Sequence, residues 1–159
     1  MNDIIPVSEK RLTAIMGTPT AKILITDRKK GVFLHFRANQ PTEEYSINAG
    51  LAGQVLASGK YEVISNAYYH GSYNGLIDIE TTLPLVIWPI KDPNDETEVI
   101  GIIEAINVKG VEGLSAVHKP KLSPYDLEAI DLFSKQLCRA VKNNTSNRNL
   151  NFSIFTNQK

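Results

Sequence analysis

Gly50-Leu51-Ala52-Gly53-Gln54-Val55-Leu56-Ala57-Ser58-Gly59, then Ile64-Ser65-Asn66, then a polar loop holding Asp78, Thr81 and Thr82, then Gly101-Ile102-Ile103-Glu104-Ala105-Ile106-Asn107: this order of segments decides the fold. Leu51, Val55 and Leu56 fall on one side of a short amphipathic helix, and Gly59 stands where a left-handed C-cap is wanted. Tyr61 to Ile64 reads as a brief strand. The polar, aromatic, glycine-containing segment from Asn66 to Gly75 is a long excursion, a type that serves as a lid or binding loop or else moves. Leu85 to Ile90 and Val99 to Val108 form the clearest hairpin, joined by Asp92-Pro93-Asn94-Asp95, each a residue with its own reason to turn. The second strand is apolar on both faces, Ile100, Ile102 and Ile106 against Val99, Ile103 and Ala105, which predicts a central strand covered from both sides. Glu104 interrupts one of those faces.

Working outward, Ser8 offers an N-cap for a helix to Met16, with Leu12, Ile15 and Met16 on one face and Gly17 and Pro19 ending it. Ile23-Leu24-Ile25 and Val32-Phe33-Leu34-His35-Phe36 flank a polar run closed by Gly31, the pattern of a hairpin. Tyr45, Ile47 and Ala49 alternate with polar positions as a third, half-buried strand. On the C-terminal side, Ser123 as N-cap, Pro124 at the first helical position and Asp126 open a helix whose stripe is Leu127, Ile130, Phe133, Leu137 and Val141.

With 159 residues, 42% of them hydrophobic, the chain is long enough to bury one core. Lysine plus arginine and aspartate plus glutamate both total 17, so no global field attracts nucleic acid. After Asp131 there is no acid, while Lys135, Arg139, Lys142, Arg148 and Lys159 follow, a solvated helix face before it is a contact for an acidic partner. Asp3 stands where a signal peptide needs basic residues and no apolar core follows, so a cytoplasmic protein is expected. The longest apolar run, Leu83 to Ile90, contains Pro84 and Pro89 and falls well short of the roughly 20 residues of a membrane-spanning helix, so no membrane partner is expected. A single cysteine, Cys138, excludes an internal disulfide and a multi-thiolate zinc site.

The order helix, hairpin, strand, short helix, strand, long loop, hairpin, long helix resembles a GAF domain over about Ser8 to Asn143. Within that family it is most similar to the regulatory domains of cyclic-nucleotide phosphodiesterases, through Asp78-Ile79-Glu80-Thr81, Pro89-Ile90, Val99-Ile100-Gly101 and Asn107 followed by Lys109. The resemblance implies an α+β fold, an antiparallel sheet with terminal helices on one face and a loop-covered ligand cavity on the other. Residues 144–159 would be a C-terminal tail, disordered or partner-docking. It also implies a set of cavity residues: Ser65, Asn66, Ile77, Asp78, Thr81, Thr82 and Glu104. Asn66 suits a purine edge, the threonines a phosphate, and Glu104 an amino group or sugar hydroxyl. Each has a plainer role as well. Asn66, Asp78 and Thr81 are turn-capping types, and Glu104 would suit a salt bridge such as one to Lys22. The pattern departs from the subfamily where Val108 precedes Lys109, where Leu122 and Leu127 replace a phenylalanine and a glutamate, and where Lys22 replaces a small hydroxyl residue.

Some GAF proteins of this length reduce free methionine sulfoxide with several cavity cysteines, since one thiolate attacks and another resolves. Cys138 is alone and lies beside the packing stripe of the last helix, so no enzyme activity is expected, and no cofactor beyond a cyclic-nucleotide ligand. His35, His70 and His118 are scattered, without the spacing of a helical metal site. Two functions follow. The first is a protein-interaction or regulatory subunit of a larger intracellular assembly, ciliary or cytoskeletal by family analogy, docking through its terminal helices, a sheet edge or Phe152-Ser153-Ile154-Phe155. The second is a sensor that takes a cyclic nucleotide in the cavity. Erosion of the ligand signature and the lack of an effector in the chain favour the first.

Overall fold

The computed structural model describes residues 1–81, 83–107 and 122–147, with side chains to Asn144. Thr82, His118 and the Phe152-Ser153-Ile154-Phe155 segment lie outside the described residues. Six strands, β1 (Ala21–Asp27), β2 (Val32–His35), β3 (Glu43–Ser46), β4 (Glu62–Ile64), β5 (Leu85–Asp92) and β6 (Asp95–Ile106), form one sheet in the order β3-β2-β1-β6-β5-β4. Every neighbouring pair is antiparallel. β6, the strand that is apolar on both sides, lies between β1 and β5, and its residues from Val99 onward are buried, as its composition requires.

Helices α1 (Ile4–Met16) and α3 (Pro124–Asn147) cover one face. Ile5, Leu12 and Met16 of α1 meet Ile130, Phe133, Leu137, Cys138 and Val141 of α3 over Ile23, Ile25, Val86, Ile90 and Ile103. Full burial of one such branched side chain contributes about 2 kcal/mol, so this layer is a principal source of stability. α1 starts at Ile4 with Asp3 at its N-cap, not at Ser8. Pro6 falls in the first turn, where a missing N–H costs little, so it does not delay the helix. At the other end Ser123 caps α3 as expected, its Oγ accepting from the Asp126 N–H at 3.1 Å and donating to Asp126 Oδ2 at 2.9 Å.

The opposite face is covered by α2 (Gly50–Ser58) and the loop from Ser65 to Pro84. Leu51, Val55 and Leu56 of α2, with Ala67, Ile77 and Ile79 of the loop, pack on Leu24, Phe33, Leu85, Ile87, Ile102 and Ile106. Gly59 ends α2 at φ 68°, with its N–H bonded to the Val55 carbonyl. Between β5 and β6 the register shifts, Ile90 opposite Gly101 but Lys91 opposite Val99. Ile100 is therefore an extra residue, and the bulge turns it toward the helices while Val99 joins the α2 layer. The turn of this hairpin is tighter than its composition suggested, since β6 already begins at Asp95. Among the described residues no helix is long and apolar enough to cross a membrane.

Candidate functional site

On the α2 side of the sheet, Glu104 of β6 stands directly across from Lys22 of β1 in the pairing register. Glu104 is fully buried, and its Oε1 accepts from the Ile79 N–H at 2.9 Å. Burial pushes its pKa well above the ordinary 4.5, helped by a hydrogen bond to the Asp78 carboxyl and by that group's charge. Oε2 receives no donor from the described residues. The protonated form of Glu104 is thereby favoured, and it has a donor to offer where two ionised carboxylates would repel.

Asp78 is the hub of the site. Its Oδ2 accepts from the Leu51 N–H at 2.8 Å and the Asn74 N–H at 2.9 Å, and its Oδ1 from the Ala52 N–H at 3.2 Å. Leu51 and Ala52 belong to the first turn of α2, whose N-terminal amides have no intrahelical acceptor and whose dipole favours an anion. α2 carries no side-chain cap of its own at Ala49, and Asp78 supplies that function from a loop 27 residues downstream of Leu51. Gly50 makes the approach feasible: a Cβ there would lie 2.5 Å from Asp78 Oδ2 and 2.6 Å from Ile77 Cγ2. Its φ of 71° suits glycine for the same position.

Lys22 completes the arrangement without forming the salt bridge to Glu104. Its ammonium donates to the Ile77 carbonyl at 2.6 Å and lies 4.8 Å from the centroid of the Tyr45 ring. Burial lowers its pKa, while Glu104, Glu43 and Asp78 pull the other way. Lys22, Tyr45, Asp78, Ile79, Glu80 and Ile106 edge an open cleft of about 500 Å³ at this end of the sheet. The cleft also touches a group of side chains that no local pattern links. Glu9 Oε2 accepts from the Ile23 N–H at 2.8 Å and lies 2.9 Å from His35 Nε2, while His35 Nδ1 lies 3.2 Å from Glu43 Oε1. This joins α1, β2 and β3 through side chains 26 and 8 residues apart in sequence, and no local signal marks such a link.

Of the expected cavity residues, the structure brings together Ile77, Asp78 and Glu104. Ile77 is buried in the α2 layer and contributes its carbonyl to Lys22. Ser65 and Asn66 are exposed at the end of β4 and do not line the cleft beside Asp78. Asn66 instead precedes a single 3₁₀ turn, Ala67–Tyr69, its carbonyl accepting from the Tyr69 N–H at 3.1 Å. Thr81 Oγ1 accepts from the Leu83 N–H at 3.0 Å, a turn-closing bond. Cys138 lies on the far face of the sheet, in the helical layer, and burial pushes its thiol up to about 11. Among the described residues no group of three His, Cys, Asp or Glu side chains is placed to hold a metal ion.

No protein-family model and no curated protein sequence matches this chain. Solved structures do. The GAF domain of a phosphoenolpyruvate-protein phosphotransferase (ptsP) from Coxiella burnetii superposes with a TM-score of 0.69 at 12% identity, over 94% of this chain and 86% of that one. The second GAF domain of DevS from Mycobacterium smegmatis gives 0.61 at 12% identity, covering 92% and 96%. Free methionine-R-sulfoxide reductase from Neisseria meningitidis, in complex with its substrate, gives 0.59 at 12% identity, covering 91% and 83%. The fold is therefore that of a GAF domain, an α+β architecture on a six-stranded antiparallel sheet.

Proposed function

We propose that this domain acts without catalysis, as a regulatory, protein-interaction subunit of a larger assembly. The observation that carries the reading is that Asp78, Lys22 and one oxygen of Glu104, on the α2 side, are already engaged by the chain itself. Asp78 holds three backbone amides, Glu104 Oε1 accepts from Ile79, and Lys22 donates to Ile77. Those bonds hold residues 74–79 of the loop against α2, and three of the loop's large side chains face outward: Tyr69 and Leu76 are each 80% exposed and Tyr68 is 51% exposed. Tyrosines set among Gly71, Ser72, Asn74 and Gly75 on a fixed loop have the composition of recognition surfaces, in which rigid aromatics supply contact area at small entropic cost.

A second reading, a small-molecule sensor taking a cyclic nucleotide, has one observation in its favour. Tyr73 Oη, Glu104 Oε2 and Asn107 Nδ2 are buried without a partner among the described residues, and Tyr73 lies within electrostatic reach of Asp78 and Glu104. Buried polar atoms left in this condition call for water or a ligand. Thermal shift with cyclic AMP and cyclic GMP separates the readings. The subunit reading expects no shift from either, whereas a specific ligand at a hundred times its dissociation constant adds about 2.7 kcal/mol. The complementary arm is proximity cross-linking of the tagged chain in its source cells. Partners captured by wild type and lost by Tyr69→Ser with Leu76→Ser support the interaction role; a partner set unchanged by that pair removes the loop from it.

A further inference from the structure

A second pocket, on the opposite side of the sheet from Glu104, is not used by either reading. β4 is a short edge strand, and Tyr61, just before it, falls opposite Trp88 of β5. The two rings stack at 4.8 Å between centroids with 22° between planes, and Tyr61 remains 43% exposed because no further strand follows β4. Above them α3 passes with Asp131, Ser134 and Lys135, while the β5–β6 turn contributes Pro93. The space enclosed is about 470 Å³, within the range that accepts a small organic molecule.

Charge selects the occupant. Two acids of the rim are neutralised: Asp131 by Lys135 at 2.8 Å, and Asp92 by Lys142, which also lies 3.4 Å from Glu98. Two lysines are not. Lys60 and Lys91 line the pocket and have no acid within ion-pair distance among the described residues, and Lys91 Nζ reaches over Gly59, at the close of α2. Glu96, exposed in the turn-proximal part of β6, is the remaining acid of the rim. An aromatic floor beside two ammonium groups that have no ion-pair partner among the described residues combines stacking with anion attraction. We propose that the pocket between β4, β5 and α3 binds a small planar aromatic molecule carrying an anionic group, its ring on the Tyr61–Trp88 stack and its anion between Lys60 and Lys91. The site is separate from the loop surface and from the cleft beside Asp78.

Trp88 is the sole tryptophan of the chain, so its indole N–H gives one NMR cross-peak that reports on this pocket directly. Three probes sharing one ring test the chemistry: 2-naphthoate, 2-naphthalenemethanol and 2-naphthylmethylammonium. The proposal expects a saturable shift of the Trp88 peak with naphthoate, weaker binding of the alcohol and least of the ammonium. Lys60→Gln and Lys91→Gln, which remove no side-chain ion pair among the described residues, should each weaken naphthoate binding about three- to fivefold. Tyr61→Ser should weaken all three probes in common. Preference for the ammonium would assign the pocket to cations through its acidic rim and overturn the proposal. So would equal affinity for all three probes, indifference of naphthoate to both lysine substitutions, or absence of a saturable shift.

Discussion

Replacing Glu104 by glutamine tests whether its carboxyl is protonated beside the Asp78 hub. Glutamine has the same shape, its carbonyl oxygen can accept from Ile79, and its amide can donate to Asp78, so the variant reproduces the protonated state permanently. The wild-type side chain instead takes up a proton on folding wherever the pH lies between its unfolded and its raised folded pKa. The sign follows from the direction of the shift: a carboxyl whose folded pKa is raised above 4.5 leaves stability undiminished at lower pH and erodes it as pH climbs through the interval between the two values. Within that interval the native state binds up to one proton more than the unfolded chain, and the loss approaches about 1.4 kcal/mol for each pH unit. Other shifted acids do not blur the window. Asp92, held low by Lys142, and Glu43, held low by its bond to His35, contribute fully once the pH is above the ordinary carboxylate range. Urea denaturation of both proteins at half-unit steps from pH 5 upward, taken as the difference between them, cancels all groups common to both. The glutamine variant should gain on wild type with a slope near the one-proton value, starting at the acid end of the series. Parallel curves across the series would show that Glu104 folds as a carboxylate and would refute its protonation.

Gly50→Ala should cost about 3 kcal/mol, combining left-handed backbone strain with displacement of Asp78, whose Oδ2 would stand 2.5 Å from the new carbon. Urea midpoints measure it, and a loss below about 1 kcal/mol would mean that the hub relaxes freely. Cys138, buried with its thiol at about 11, should react with a disulfide reagent at pH 8 about a hundredfold more slowly in the native protein than in denaturant. Comparable rates would show that the helical layer opens readily.

Patterns confined to one element were legible in the sequence, and relations between elements were not. The α3 cap, the Gly59 terminus and the double-sided apolarity of β6 each follow from neighbouring residues, and all three stand in the structure. Ser8 was misleading because N-cap chemistry is common in surface positions, while burial of Ile5 against the core recruits an earlier turn. Asp95 has turn composition and the apolar pattern starts only at Val99, yet Asp95 to Glu98 are strand, extended past the rim of the core where no burial selects for apolar residues. For the candidate site, the family resemblance grouped Asp78 and Glu104 with Asn66 and others; the structure joins Asp78 and Glu104 and leaves Asn66 exposed. That Asp78 would cap a helix 27 residues upstream, and that Lys22 would choose a carbonyl over Glu104, depends on where the loop lands on the sheet. Local periodicity carries no record of that. Glu9 and His35 were missed for the same reason.

The two outermost strands bear on how the molecule meets its neighbours in a crowded solution. β3 has four residues and β4 three, and both carry glutamates: Glu43 and Glu44 on one, Glu62 on the other. Rims so brief, with charged side chains along them, offer an incoming backbone few amides to zip against. Fibril-like stacking of copies is thereby discouraged at both margins, and a lasting attachment has to be won by side-chain shape, which discriminates between suitors far better than main-chain pairing does.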